Sequence, residues 1–541
     1  SRRIGRSPHG SPNLSEGEYA DIPGQTTILG AAKFSGKTKN GLGVGILETV
    51  TAEERAVIDR GGDRSEEVVE PLSNYFVGRL TQDFREGQTV VGGIFTATNR
   101  FLDGTGLDDL HRSAYSGGVD LLHQWKDRTY FVSFNGIFSR VNGSEEAILN
   151  TQTAFEHYFQ RPDADYLSVD STATSLLGHG GTIKAGKMAG NWNFEGGVTW
   201  RSPELELNDI GFMINADEIN HFFWTGYQWN EPFSVFRNMN LNYNHYARWD
   251  FGGNNLYQAV NTNIGMMFNN FWRFGTGVTY EHRDISNRAL FGGPALRRSK
   301  GFANWYFLST DNRKKVQFNL NATIARGFER NAPRTVAFQS YSLGVTIQPL
   351  DAFNISIRPG YNQNQRKVQY VTDREYQGET RYIAGTVDQQ TMSVTVRFNL
   401  NITPNFTIQY YGQPFISRGR YTKFKYITDP QADFFYDRIY EYSDNEIFFD
   451  AESEEYFVDE NRDGEADYSF GDPDFNFMQL RSNLVARWEY IPGSEIFLVW
   501  APGITNSEDP RKGLIESWRD GLFTQQPENI FLIKATYRFL Y

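Results

Sequence analysis

Residues 391–402 read "TMSVTVRFNLNI", in which Met392, Val394, Val396, Phe398, Leu400 and Ile402 alternate with Thr391, Ser393, Thr395, Arg397, Asn399 and Asn401. A period of two sends successive side chains to opposite faces of an extended chain. One face is apolar and the other polar, the pattern of a half-buried strand rather than a helix. The alternation returns in "KKVQFNLNATI" (314–324), and more weakly in "TYFVSFNGIF" (129–138), "NMNLNYNHYARW" (238–249) and "FNISIRPGYN" (353–362). It also closes the chain, as "NIFLIKATYRFLY" (529–541), where Ile533, Ala535, Tyr537, Phe539 and Tyr541 share one side.

Composition narrows the class. The 541 residues include 43 Phe, 29 Tyr, 11 Trp and 51 Gly, yet mean hydropathy is −0.53 and only 39% of residues are apolar. Such a chain is rich in aromatics and poor in conventional core. Cysteine is absent, which excludes disulfides and Cys-ligated zinc or iron–sulfur centres. No apolar run reaches the 18 or so residues of a spanning helix. No apolar stretch follows the basic residues of "SRRIGRSPHGSP", so no signal-peptide pattern is present.

Connections between the strand patterns come in two lengths. Short turns include "SGKTKNG", "KDR", "MAGN", "NEP", "FNN", "STDNRK", "PLDAF", "TPN" and "PGS", while residues 51–71, 141–176, 285–299, 415–473 and 503–528 form longer connections. Short turns on one rim and long loops on the other describe an outer-membrane barrel. Trp125, Trp192, Trp229, Trp272, Trp305 and Trp488 lie beside short turns, where an interfacial girdle would sit. The pattern predicts an all-β fold, one large closed antiparallel transmembrane β-barrel of roughly 22 strands with long extracellular loops. Residues 1–25 are read as an N-terminal segment carrying a first-strand remnant, and 26–541 as the barrel. The last strand would pair with the first, with Met392, Val394, Val396, Phe398 and Leu400 toward lipid and Thr395, Arg397 and Asn399 toward the lumen.

The formal charge of −12 is concentrated. Between Asp429 and Asp474 there are 17 Asp or Glu against 2 Arg, a balance of −15, so the rest of the chain sums to +3. No basic face suggests nucleic-acid binding. Inside this segment "VDENRDGEADY" places Asp459, Asn461, Asp463, Gly464, Glu465 and Asp467 in the spacing DxNxDGxxD. Alternate oxygens in that spacing converge on a hard cation while Gly makes the sharp turn. The expected metal is Ca²⁺, held by Asp459, Asn461, Asp463 and Asp467 with the Glu465 carbonyl, against the alternative of a solvated acidic loop. Position 12 of the loop is Phe470, where a helix-flanked calcium loop has a bidentate Glu.

Two other motifs are weaker. "KFSGKT" ends like a phosphate loop, but the first glycine is Gly30 where position 31 is required, and the context is a hairpin. Asp170, Ser171, Ser175 and His179 in "VDSTATSLLGHGG" offer the residue types of a hydrolase without a fixed geometry. The remaining histidines lack ligand spacing. No catalytic residue is assigned, and the chain is read as a non-enzyme.

Several blocks carry a family resemblance: "SRRIGRSP", "IPGQTTILGAAKFSGKTKNGLGVGILETVTAEE", "VVEPLSNYFVGRL", "GGIFTATNRF" and "DPDFNFMQLRSNLVARWEYIPGSEIFLVW". They resemble a Bacteroidota family of large outer-membrane barrels of uncharacterised function, whose members carry a family-9-like carbohydrate-binding domain ahead of the barrel. The resemblance implies the cell outer membrane of a Gram-negative bacterium, a lipid-bilayer environment and protein partners in a larger surface complex. The expected function is a porin-like transport channel or the membrane anchor of a cell-surface assembly. A barrel-embedded hydrolase, or surface carbohydrate binding and adhesion through the domain missing here, are the alternatives.

Overall fold

The computed structural model describes residues 4–329, 332 and 335–539. The expectation placed on Tyr541 therefore lies outside the described residues. The chain forms two compact units, one of residues 1–226, 244–259 and 285–296, the other of residues 227–243, 260–284 and 297–541.

In the first unit, eight strands follow one another as antiparallel neighbours: Ile28–Lys37, Leu42–Thr51, Ser73–Phe84, Thr89–Arg100, Ser113–Trp125, Tyr130–Asn142, Ser175–Lys187 and Trp192–Arg201. The tight reversals need left-handed backbone, and Lys126, Asp127 and Arg128 supply it with φ of 50°, 52° and 63°. "SGKTKNG" is a hairpin connection, as read, between Ile28–Lys37 and Leu42–Thr51. The stretch 51–71, expected as a loop, instead builds a small sheet in which Glu54–Arg60 pairs with Glu18–Asp21 and with Asp63–Glu70. A helix, Glu145–Thr153, also went unforeseen; Ser144 caps it by accepting from Ala147 N, and Glu145 and Glu146 sit in its first turn.

The long connection after Trp192–Arg201 folds back over the sheet and packs Leu205, Met213 and Ala216 into a small core. Gly178 allows that approach. A Cβ placed there would fall 2.2 Å from the Cα and the backbone N of Leu205. Because the obstacle is backbone, Gly178→Ala is expected to cost about 1–3 kcal/mol or more. Denaturant unfolding of the variant checks this, and an unchanged midpoint would contradict it.

In the second unit Lys300–Ser309 pairs with Arg273–Glu281 on one side and Val316–Phe328 on the other. The ladder continues through Thr335–Leu350, Phe353–Tyr376, Glu379–Thr403, Phe406–Ile427, Phe475–Ile491 and Ser494–Ser507 to Glu528–Ala535. The alternating stretch 391–402 lies in Glu379–Thr403, as its pattern predicts. Its polarity alternates but its burial does not: Thr391 to Val396 are all half-buried.

The long strands belong to one sheet that is closed as a barrel, as the alternation and the connection lengths predict. Ile28–Lys37 has Leu42–Thr51 as its ladder partner and is exposed at every residue. Glu528–Ala535 has Ser494–Ser507 and is likewise exposed at every residue. A barrel in hydrocarbon needs every strand edge paired, since each unsatisfied backbone group there costs several kcal/mol. Local alternation specifies strands but says nothing about whether the first and last of them meet. The fold defines the sheet and not its surroundings: the porin-like channel or membrane anchor, the bilayer as partner and the outer-membrane location do not follow from it. Among the described residues no helix is long and apolar enough to cross a membrane either.

Candidate functional site

The acidic segment is an ordered lobe of the second unit. The strand Phe406–Ile427 runs well into the stretch expected to be loop, and its end pairs with Ile439–Glu441. Beyond it Glu455–Val458 pairs with Ile447–Asp450 and with Tyr468–Gly471 in a small antiparallel sheet. Aromatic residues fold the lobe inward. Ile383, Phe424, Tyr442, Val458 and Phe470 form its core, with Tyr421, Tyr426, Tyr440, Tyr456 and Tyr468 packed around it.

Charge is managed by pairing. Burial alone would raise the Glu446 carboxyl, but hydrogen bonds from Tyr440, Ser443 and Arg462 hold it down to about 2. Glu460 meets Arg381 at 3.1 Å and accepts from the Tyr468 hydroxyl at 2.7 Å. Burial, together with Tyr442 and Glu460, pushes the Tyr468 phenol well above the ordinary range.

The candidate loop links two strands of this sheet, Glu455–Val458 and Tyr468–Gly471. Asp459 accepts from Asp463 N at 3.1 Å through Oδ1 and from Gly464 N at 2.9 Å through Oδ2. Asn461 Oδ1 accepts from Asp463 N at 2.8 Å, and Asp463 Oδ1 from Glu465 N at 2.9 Å. Asp467 closes the ring, accepting from Glu460 N at 2.7 Å and from the Asn461 side-chain amide at 3.2 Å. Gly464, with φ +94°, makes the turn that the spacing reserves for glycine. Phe470 is in the lobe's core, so nothing at position 12 can act as a ligand. Among the described residues no group of three or more His, Asp or Glu side chains is gathered to hold a metal ion.

The other motifs stay apart. Asp170 accepts from Thr172 N and Oγ1 at 2.9 and 2.8 Å, while His179, in the strand Ser175–Lys187, accepts from Trp200 Nε1 at 3.3 Å and stacks edge-on to Phe251. The sequence overlooked a buried ionic cluster in the first unit. There Arg100 Nη1 donates to Asp209 Oδ1 at 2.5 Å, and the His111 ring bridges Asp209 Oδ2 at 2.9 Å and Thr151 Oγ1 at 2.7 Å. These residues are separated by up to 109 positions, so no local pattern announces them.

The chain belongs to the family described as Domain of unknown function (DUF5916), whose profile matches residues 1–541. That description carries no location and no barrel. The expected identity as a Bacteroidota outer-membrane barrel family is replaced by that description. No curated protein matches the chain. Among solved structures, the outer membrane protein OpdK of Pseudomonas aeruginosa is 9% identical at a TM-score of 0.33, covering 66% of this chain and 89% of its own. The siderophore receptor PirA from Acinetobacter baumannii is 9% identical at 0.35, covering 86% and 76%, and the alcaligin outer membrane receptor FauA from Bordetella pertussis 10% at 0.31, covering 88% and 73%. Likeness this slight carries no argument about what the chain does.

Proposed function

We propose that the protein is a non-enzymatic, calcium-binding protein whose acidic lobe takes Ca²⁺ in the Asp459–Asp467 loop. The observation that carries this reading is the loop's own hydrogen bonding. Asp459, Asn461, Asp463 and Asp467 each accept a hydrogen bond from the backbone of this one loop, which gathers their side-chain oxygens around it. Each oxygen that accepts one N–H keeps a lone pair for a cation. The Glu465 carbonyl would stand at the position where such loops add a backbone ligand. Charge supports it too, because 17 carboxylates against 2 arginines repel one another and a divalent cation offsets that repulsion.

The ligand set is short by the bidentate carboxylate of position 12, so affinity falls in the range of about 10⁻⁴ to 10⁻³ M typical of extracellular modules. Calorimetric titration of chelator-treated protein tests this. Wild type is expected to release or absorb heat at millimolar Ca²⁺, and the Asp459→Ala, Asp463→Ala double variant to lose the signal. No heat from wild type, or equal binding by the double variant, leaves only a solvated acidic surface.

A further inference from the structure

A cavity of about 440 Å³ lies in the first unit. That size falls within the range of small-molecule sites. Its walls come from distant parts of the sequence: Arg6 and His9, the end of the strand Thr89–Arg100, the helix Glu145–Thr153 and the connection after Arg201. One wall is the Arg100–Asp209–His111 cluster, in which buried Arg100 and half-buried His111 are both hydrogen-bonded to Asp209. His9 is fixed in turn by Glu70, its Nδ1 2.6 Å from Oε2.

Three features of the lining point to the chemistry of an occupant. First, both signs of charge are present. Arg100 and Asp209 neutralise each other, and Glu206 is held by His157 at 2.9 Å. Arg6 remains as a cation, and Asp109 and Glu156 remain as carboxylates without a side-chain hydrogen bond among the described residues. Second, Arg100 is 6% exposed, yet its Nε has no hydrogen-bond partner among the described residues. A buried donor left unmade is costly, and an acceptor supplied by a ligand would relieve it. Third, the opposite part of the lining is apolar and open. Phe212 is 70% exposed and Ile214 55%, with buried Met213 between them.

A free anion in this cavity meets Asp109 and Glu156, and a free cation meets Arg6 and Arg100. A molecule carrying both charges and an apolar group meets each with its complement. We propose that the cavity binds a zwitterionic ligand, an amino acid or dipeptide with an apolar side chain. The ammonium pairs with Asp109 and Glu156, the carboxylate with Arg6 and the Arg100 Nε–H, and the side chain lies against Phe212 and Ile214.

The test is calorimetric titration of the full chain with leucyl-leucine and L-leucine, beside leucinamide, N-acetyl-leucine and sodium phosphate. Binding of leucyl-leucine or leucine is expected, with leucinamide and N-acetyl-leucine each at least tenfold weaker, a difference of about 1.4 kcal/mol. Glu156→Gln changes a half-buried side chain isosterically and Phe212→Ala an exposed one, so they should weaken binding at least about tenfold while leaving the thermal unfolding midpoint in place. The proposal is overturned if neither zwitterion binds, if phosphate or a singly charged analogue binds as well as leucyl-leucine, or if both variants bind like wild type.

Discussion

Replacing Asp209 with alanine is expected to destabilise the first unit by about 3–5 kcal/mol, the loss that follows when one member of a buried ion pair is removed and the other stays. Asp209 is the shared acceptor of Arg100 Nη1 and the His111 ring. Without it the Arg100 guanidinium keeps only the His111 carbonyl, at 3.0 Å. Asp209→Asn is expected to cost less, since an amide oxygen still accepts from one of the two donors. The double change Arg100→Met with Asp209→Leu should cost less than Asp209→Ala alone, because no buried charge remains. Denaturant unfolding, with hydrogen exchange of amides in Thr89–Arg100 and Ser113–Trp125, reads these differences. A loss below about 1 kcal/mol for Asp209→Ala contradicts the assignment. Acid probes the same group. Burial works to raise the Asp209 carboxyl, but His111 and Arg100 outweigh it and hold the group below the usual carboxylate range. A depressed folded value means stability that is present above the unfolded carboxylate pKa, about 3.9, and lost as pH falls further. The wild type should weaken below about pH 4 through this group, and the Asp209→Asn variant should lack that component.

What the sequence disclosed follows from how local each feature is. The strand at 391–402 and the hairpin at 38–41 were legible because alternation and turn chemistry act between near neighbours. The turn at Gly464 was legible for the same reason, since the spacing from Asp459 to Asp467 reserves that position for glycine and its φ is +94°. The helix Glu145–Thr153 carried a readable signal in Ser144 followed by Glu145 and Glu146, but it is short and lacks a long apolar period. In the stretch 51–71 the strands Glu54–Arg60 and Asp63–Glu70 meet across the Gly61–Gly62 turn, a local hairpin signal, while their third partner, Glu18–Asp21, lies far upstream. Closure was legible only through the connections, short and long in turn, and not through the strands themselves. A strand's alternation reports which faces differ, whereas an edge is decided by backbone N–H and C=O groups, which every residue carries alike. The cavity shares this character: Arg6, Arg100, Glu156 and Phe212 share no spacing that one dimension could reveal.

Lys425→Met is expected to stabilise the second unit by about 1–3 kcal/mol at pH 7, an increase from removing a charge. Lys425 is 1% exposed, and its ammonium donates to the Lys367 carbonyl at 3.0 Å and to Thr386 Oγ1 at 2.9 Å. The nearest carboxylate, Glu441, is 3.8 Å away. Burial lowers the Lys425 amine to about 8; Glu441 opposes the shift, while Lys423 and Lys367 add to it. An unfolded lysine titrates near 10.4. Between those values the unfolded chain binds the proton that the folded chain has released, so stability must rise with pH there. Below about pH 8 both states are charged and the folded one bears the full cost of the buried ammonium. Methionine fills a similar volume without that charge, although it leaves the Thr386 hydroxyl and the Lys367 carbonyl short of a donor, which limits the gain. The variant's advantage should therefore be largest at neutral pH and shrink toward zero near pH 10.5. Glu441→Gln works in the opposite sense, removing the carboxylate that partly supports the ammonium, and should destabilise the wild type but not the Met variant. Unfolding measured at pH 7, 9 and 10.5 distinguishes these outcomes. A Met variant less stable than wild type at pH 7 would show that the two hydrogen bonds of Lys425 outweigh the cost of burying its charge.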